Sequence, residues 1–331
     1  MTKINKDYSE WLDVINDADI ASITLGELID STAKKYPDNE ALVYSNQPDV
    51  QDIRWTYKYL SESSTDLAKG FLDDGLLPGD TVGVWGPNHP EWILTEYALA
   101  KAGLKMVTLN PLYKEQEIIF ALNTVNAKGL IHADKIGGLK ADELIEIIKP
   151  EITSLKNIHS FDAGLKKLIS SGKESLANLP SVNSKDIFMI QYTSGTTGIP
   201  KAAQMTHEAL ITSSQNSHIR WKVENNQKVC HGFPLFHIGG SACMTLGAAS
   251  MGAVSLPLYI FKPSVTLDII ENEGCSMFIG APVHLTAMMQ DPSFKDRDLS
   301  ALKCLVVGGS NPPVELIKQF SLEFNADVIN G

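Results

Sequence analysis

No C-x-x-C pair occurs anywhere in the 331 residues. The four cysteines, Cys230, Cys243, Cys275 and Cys304, stand far apart. That spacing argues against a zinc framework or a disulfide scaffold and reads as reduced, buried thiols of an intracellular protein. Basic residues are few: 28 Lys and Arg stand against 39 Asp and Glu, for a net charge of −11. Such a balance excludes a general nucleic-acid binder and an anionic-membrane binder, though not a local anion site. The first twenty residues, MTKINKDYSEWLDVINDADI, contain no arginine and several acids, so a targeting signal is not legible in them and the cytoplasm or the mitochondrial matrix is the expected compartment. Ile238–Phe261 is free of charge and long enough to span a bilayer, but Gly239, Gly240, Gly247, Gly252 and Pro257 interrupt it. A buried helix followed by a buried strand is expected there, not a transmembrane segment. Repeats and low-complexity tracts are also missing.

What the chain does have is a core-forming composition, 44% apolar and 20% charged, arranged in alternating strand-like and helix-like runs. TLGELIDSTAKKY opens with a capping box, Thr24 and Glu27. ALVY, TVGVWG, KMVTLN and KGLIHA read as strands. Between them, the run from Thr56 to Asp74 and the segment PEWILTEYALAKAG read as helices, the latter with Pro90 in its first turn and Gly103 at its end. From about Lys140 to Ser184 the chain turns more polar and less regular, which predicts a surface connector or a subdomain boundary. The alternation then resumes with IFMIQY, THEALITSSQNS, MGAVSLPLY, TLDIIENEG, SMFIG, KCLVVGGS and PPVELIKQFSLEF. These runs predict an α/β protein with mostly parallel sheets flanked by helices. The expected division is an arm over residues 1–23, a first α/β subdomain over 24–185 and a second over 186–331. ADVING, at the end, reads as a strand about to enter a glycine turn, so the chain is expected to be truncated on its C-terminal side.

The densest chemistry lies in QYTSGTTGIPKAA, Gln191–Ala203. An apolar strand precedes it, and a helix whose N-cap is Thr206 follows. The glycines let several backbone N–H groups face one anion. Thr193, Ser194, Thr196 and Thr197 add hydroxyls, Lys201 adds a positive charge and Pro200 stiffens the approach to it. No acid occurs between Asp186 and Glu208, so a polyphosphate is the natural guest. The spacing is not that of a Walker A loop, since Ile199 and Pro200 separate Gly198 from Lys201. A solvated Ser/Thr-rich surface turn is the plainer alternative. Elsewhere, His237 sits in an acid-free stretch from Asn225 to Leu267; a core histidine or a substrate contact would both explain it. A metal pair with His231 lacks further ligands at fitting spacing. SMFIGAPVHLTAMM, Ser276–Met289, is apolar and methionine-rich, suited equally to a tolerant pocket or to ordinary core.

YTSGTTGIPK resembles the phosphate-binding signature of the acyl-adenylate-forming enzymes, which include acyl-CoA synthetases. FPLFHIGG, Phe233–Gly240, resembles that family's next motif, and VVGGSNPPVEL, Val306–Leu316, resembles its strand and Gly-Gly turn. VWGPNHPEWILTEYALAKAGLKMVTLNPLYKEQEIIFAL resembles its early helix and strand region, so the likeness covers nearly all of the chain after Thr24. NPLYKEQEIIFAL and DPSFKDRDLSALKCLVVGGSNPP look most like the medium-chain, family-member-2 type.

The resemblance implies the large N-terminal domain of that fold and an ATP-dependent activation of a fatty acid to acyl-AMP and then acyl-CoA. ATP, Mg2+ and coenzyme A would be its cofactors and co-substrates. It implies that Thr193, Ser194, Gly195, Thr196, Thr197, Gly198, Ile199, Pro200 and Lys201 hold the β- and γ-phosphates. His237 would lie beside the carboxylate and α-phosphate. Gly308, Gly309, Ser310, Gly239, Gly240 and Gly280 would line the adenine and acyl pockets, with Gly239 and Gly240 admitting the chain. Three departures stand out. The family's Tyr-Gly-x-Thr-Glu motif, its ribose-binding aspartate and its C-terminal domain with the adenylating lysine would lie beyond Gly331. Ala202 stands where a glycine is common and would restrict the backbone. No metal site is expected within the chain. A second reading follows, a non-catalytic fragment with weak nucleotide or partner binding; an unrelated P-loop NTPase is disfavoured by the missing Walker spacing.

Overall fold

The structure, a computed structural model, describes residues 20–47, 51–193, 200–310 and 312–331. Its helices begin where local chemistry starts them. Thr24 Oγ1 accepts the Glu27 amide at 3.1 Å while Glu27 Oε2 accepts the Thr24 amide at 2.7 Å, closing the expected capping box on helix Leu25–Lys35. Thr56 and Thr206 cap Tyr57–Asp73 and His207–Arg220 in the same way with their hydroxyls. Pro90 starts helix Pro90–Lys101, and Gly103, just past its end, takes a positive φ of 67°.

Two sheets carry the fold. In the first, the strands lie in the order Lys201–Thr206, Ile187–Thr193, Lys105–Leu109, Thr81–Trp85, Gly129–His132 and Asn157–Ser160. All pairs are parallel except the outer hairpin, Lys201–Thr206 on Ile187–Thr193. The second runs Asp327–Asn330, Cys304–Val307, Met277–Gly280, Lys228–His231, Val254–Pro257, Glu40–Tyr44 and Ile53–Thr56, parallel throughout except for the last pair. The mostly parallel α/β architecture is therefore as expected, and Val254–Pro257 follows the buried helical segment Gly239–Met251 as the sequence suggests. Among the described residues, no helix is long and apolar enough to cross a membrane.

Two expectations need correction, and the sheets interleave along the chain: Glu40–Tyr44 and Ile53–Thr56 join the second sheet, while Ile187–Thr193 and Lys201–Thr206 complete the first. Strand alternation is a local signal, whereas partner choice depends on which edge is free, so sequence order could not reveal the exchange. Lys140–Ser184 is not an irregular connector. It contains helices Ala141–Ile148 and Ala163–Glu174 and strand Asn157–Ser160; residues 152–156 and the part after Glu174 are irregular. The second of those helices lies so close to Tyr57–Asp73 that a Cβ on Gly172 would sit 1.8 Å from the Asp66 carbonyl oxygen. Glycine there serves packing, not a loop. Finally, Lys201–Thr206 is a strand, so the phosphate-loop candidate links two antiparallel strands before the helix begins.

Side chains sort by the two-residue period of the strands. Cys230, Phe278, Leu305 and Val307 enter one core under helices Pro263–Glu273, Pro282–Met289 and Val314–Phe324. Val229, Met277, Ile279 and Val306 face the opposite side and form a smaller cluster with Met244, Ala248 and the half-buried Phe233.

Candidate functional site

Parallel strands end on the same side of their sheet, and the open carboxyl edge is where such folds place ligands. Every described candidate lies there or in a segment leading from it. Thr193 ends its strand, and Lys201 is its cross-strand partner, so the two ends of the phosphate-loop candidate are paired. Ser194–Ile199 lie outside the described residues, as does Asn311. Pro200 borders a groove of about 330 Å³ with Tyr113, Gln116, Phe120 and Tyr192. Ala202 pairs with Tyr192 inside the hairpin and has no positive φ. An extended strand admits alanine as readily as glycine, so the expected backbone restriction has no consequence.

Phe233 gathers the next group. Its ring would be 3.6 Å from a Cβ placed on Gly239, 3.7 Å from one on Gly308 and 4.0 Å from one on Gly309. The segment after strand Lys228–His231 thereby meets the turn after strand Cys304–Val307. Gly309 has φ +83°, a backbone state that side chains resist, and Ser310 beside it is exposed. His237 is exposed, and its Nδ1 accepts the Gly239 amide at 3.1 Å. The neutral ring then carries its proton on Nε2, which is left to donate outward.

At two of the glycines the missing side chain serves the protein's own packing. A Cβ on Gly240 would be 2.2 Å from the Pro234 carbonyl oxygen, so its missing side chain lets the loop pack on itself. On Gly280 it would be 2.8 Å from both His284 Nδ1 and Phe278 Cε1, so its open side is already filled by neighbours. In Ser276–Met289, Leu285 and Met288 are fully buried in the second sheet's outer core. Only Met277 and Ile279 face the Phe233 side.

Of the other histidines, His132, His207, His218 and His231 are buried in the core, whereas His89, His159 and His284 are half-buried. His231 and His218 are fully buried, and burial pushes their pKa values down to about 3 and about 4. Among the described residues no cluster of three or more His, Cys, Asp or Glu could hold a metal.

Two polar contacts were not legible in the sequence. Gln191 Nε2 donates to Ser241 Oγ at 3.2 Å, joining strand Ile187–Thr193 to the π-helical turn Gly239–Leu246. The buried Asn88, in the loop after strand Thr81–Trp85, donates from Nδ2 to the carbonyls of Phe233 (3.0 Å) and Leu258 (2.8 Å). Its Oδ1 accepts the Leu235 amide at 2.7 Å. A lone asparagine gives no pattern to find; only the folded neighbourhood reveals it.

With this geometry in place, comparison with known proteins settles the class. Residues 29–331 match the family model for AMP-binding enzymes, and the chain belongs to that family. YngI of Bacillus subtilis, whose name assigns it provisionally to the acyl-CoA synthetases, is 30% identical over 329 residues, covering 91% of this chain and 59% of that protein. The mitochondrial medium-chain acyl-CoA ligase ACSF2 of Bos taurus is 30% identical over 339 residues, covering 92% and 54%. The chain thus spans little more than half the length of these relatives. Among solved structures, the inhibitor-bound N-terminal domain of FACL13 from Mycobacterium tuberculosis superposes with a TM-score of 0.81 at 24% identity, covering 92% of this chain and 74% of that one. The anthranilate CoA ligase AuaEII with anthranoyl-AMP gives 0.83 at 21%, covering 96% and 61%. At these identities the likeness shows the fold.

Proposed function

We propose that this chain supplies the nucleotide- and acid-binding half of an acyl-CoA synthetase acting on a fatty acid, of medium chain length. The observation that carries the reading is convergence. In a chain of the AMP-binding family, Thr193, the loop with His237 and the turn Gly308–Ser310 all follow or end parallel strands at their carboxyl ends, and Lys201 pairs with Thr193 across the outer hairpin.

A carboxylate is a weak nucleophile and is repelled by a triphosphate, so the site must neutralise the phosphates and fix the acid in line. Lys201 and the hydroxyls and amides of Thr193–Ile199 would bind the β- and γ-phosphates. His237, donating from Nε2, would steady the acid and α-phosphate oxygens. The carboxylate oxygen then bonds to the α-phosphorus as the bond to the β-phosphate oxygen breaks, releasing pyrophosphate. The thiol of coenzyme A afterwards displaces AMP from the acyl carbon, giving the thioester. No protein nucleophile is needed.

Because the chain spans little more than half of its relatives, a second reading has support: a fragment that binds nucleotide without turnover. ATP-dependent release of pyrophosphate with C6–C12 fatty acids tests both, alongside calorimetric binding of ATP. The isolated chain is expected to bind ATP and to make no acyl-AMP, whereas a polypeptide extended by the family's C-terminal region turns over. Failure of the extended polypeptide with every fatty acid would remove the fatty-acid reading. The name of the bovine relative places that protein in mitochondria, and the matrix or the cytoplasm is the compartment proposed here.

A further inference from the structure

We infer that Asn88 is a positioning residue for acyl-adenylate formation: reaching across from the first sheet, it fixes the loop that carries Phe233 and His237. This inference rests on the proposed adenylating function. Asn88 follows strand Thr81–Trp85, and its side chain bonds two segments that follow strands of the other sheet: Phe233 to Leu235 after Lys228–His231, and Leu258 after Val254–Pro257. It ties the carboxyl edges of the two sheets together, as the Gln191–Ser241 bond does elsewhere.

The chemistry of the three partners makes the residue hard to replace. The Phe233 and Leu258 carbonyls only accept, and the Leu235 amide only donates. One group with two donors and one acceptor in a plane, a primary amide, satisfies all three and leaves its own orientation in no doubt. Aspartate would set a charge against two carbonyl oxygens, alanine would strand all three groups, and glutamine would overreach. Asn88 is itself held: the Tyr44 hydroxyl donates to its backbone carbonyl at 2.8 Å, and Pro90 fixes the chain two residues on.

The loop transmits that anchoring. The Phe233 ring packs near Gly239, Gly308 and Gly309, while the Pro234 carbonyl abuts Gly240. The His237 amide donates to the Pro234 carbonyl at 3.1 Å, and the His237 ring is oriented by the Gly239 amide. Releasing Phe233 and Leu235 would therefore loosen His237 and the wall opposite Gly308–Gly309 together, without touching the phosphate loop. Side chains that hold reactive groups in this way set the geometry of a site without meeting the substrate.

The test compares Asn88→Ala and Asn88→Gln with Leu168→Ala, a buried cavity control in helix Ala163–Glu174. The probe is octanoyl-sulfamoyl-adenosine, a stable mimic of the acyl-adenylate. Both Asn88 variants should weaken it at least tenfold, shift the imidazole 15N signals of His237 and speed amide exchange of Leu235 at least tenfold. The control should change probe affinity less than threefold and leave the His237 signals in place. Asn88 variants that match the control in affinity and His237 signals overturn the proposal. In the unmutated chain the Leu235 amide should exchange as slowly as sheet amides, and fast exchange there overturns the proposal even if no variant folds. If the unmutated chain ignores the probe, the adenylating function falls, and the His237 signals and Leu235 exchange alone decide whether Asn88 positions the loop.

Discussion

Lys228 Nζ lies 3.0 Å from Glu273 Oε2, joining the first residue of a central strand of the second sheet to the last residue of helix Pro263–Glu273. The same carboxylate accepts the Ser45 hydroxyl at 2.6 Å and pairs with Arg54. Ser45 and Arg54 belong to the segment around Glu40–Thr56 that crosses from the N-terminal half, so this cluster staples that hairpin to the second sheet. Burial alone would raise the carboxyl's pKa, but the bonds from Ser45, Arg54 and Lys228 outweigh it and hold it at about 2. A depressed pKa means the folded state favours the charged form, so the stabilisation is present above pH 4.5 and is lost as pH falls towards 2. Glu273→Gln should lower stability by about 1–3 kcal/mol at pH 7, Arg54 being half exposed and its share screened. Urea denaturation at pH 7 and pH 3 checks this: the gap between wild type and variant should narrow at the lower pH.

Glu96 presents the opposite case. It is fully buried in helix Pro90–Lys101, and neither carboxylate oxygen has a hydrogen-bond partner. Burial pushes its pKa well above the ordinary value. A raised carboxyl pKa favours the folded state below pH 4.5 and works against it as pH rises through the folded value. Glu96→Gln removes the ionisable group at nearly constant shape. Its melting temperature should exceed that of the wild type at pH 8, by about 2–4 °C for each kcal/mol recovered, with the difference shrinking at pH 4. An equal effect at both pH values would show that ionisation is not what burial penalises.

Much of the fold was legible because local chemistry agreed with global packing. Thr24 with Glu27, Pro90 with Gly103, and the apolar runs at 81–85, 105–109 and 277–280 each announce an element that forms. Lys201–Thr206 escaped notice because KAAQMT has no alternating apolar face; half its residues are exposed at a sheet edge. Helix Ala163–Glu174 was hidden by its lysines and serines, although Leu165 and Leu168 are buried. For the candidate site, the motifs FPLFHIGG and VVGGSNPPVEL point to His237 and Gly308–Ser310. The reasons for Gly240 and Gly280, and the role of Asn88, depend on which backbone lies opposite, which no residue pattern records.

Gly239 and Gly240 separate folding from site chemistry. Gly240→Ala forces a methyl against the Pro234 carbonyl, where backbone must move, and should destabilise by about 1–3 kcal/mol. A methyl on Gly239 meets its nearest atom, His237 Nδ1, at 3.5 Å, an ordinary contact. Gly239→Ala should therefore melt within a degree or two of wild type while altering the relative affinities of short- and long-chain acyl-sulfamoyl-adenosines. Equal stability loss in both variants would show that the loop has no slack at Gly239 either.

Lys201 tests the phosphate-loop candidate. It is exposed at the start of its strand, opposite Thr193, so Lys201→Ala should change stability by no more than about 0.5 kcal/mol. A charge-assisted bond to a phosphate oxygen contributes about 1.5–3 kcal/mol. ATP affinity, measured by calorimetry, should accordingly fall by about 10–100-fold, and AMP affinity, which involves no β- or γ-phosphate, should change by less than about threefold. The wild type's preference for ATP over AMP should weaken as salt rises, since the contact is exposed and screened. Loss of AMP and ATP binding in equal measure would place Lys201 at the α-phosphate instead, and an unchanged ATP affinity would remove it from phosphate binding altogether.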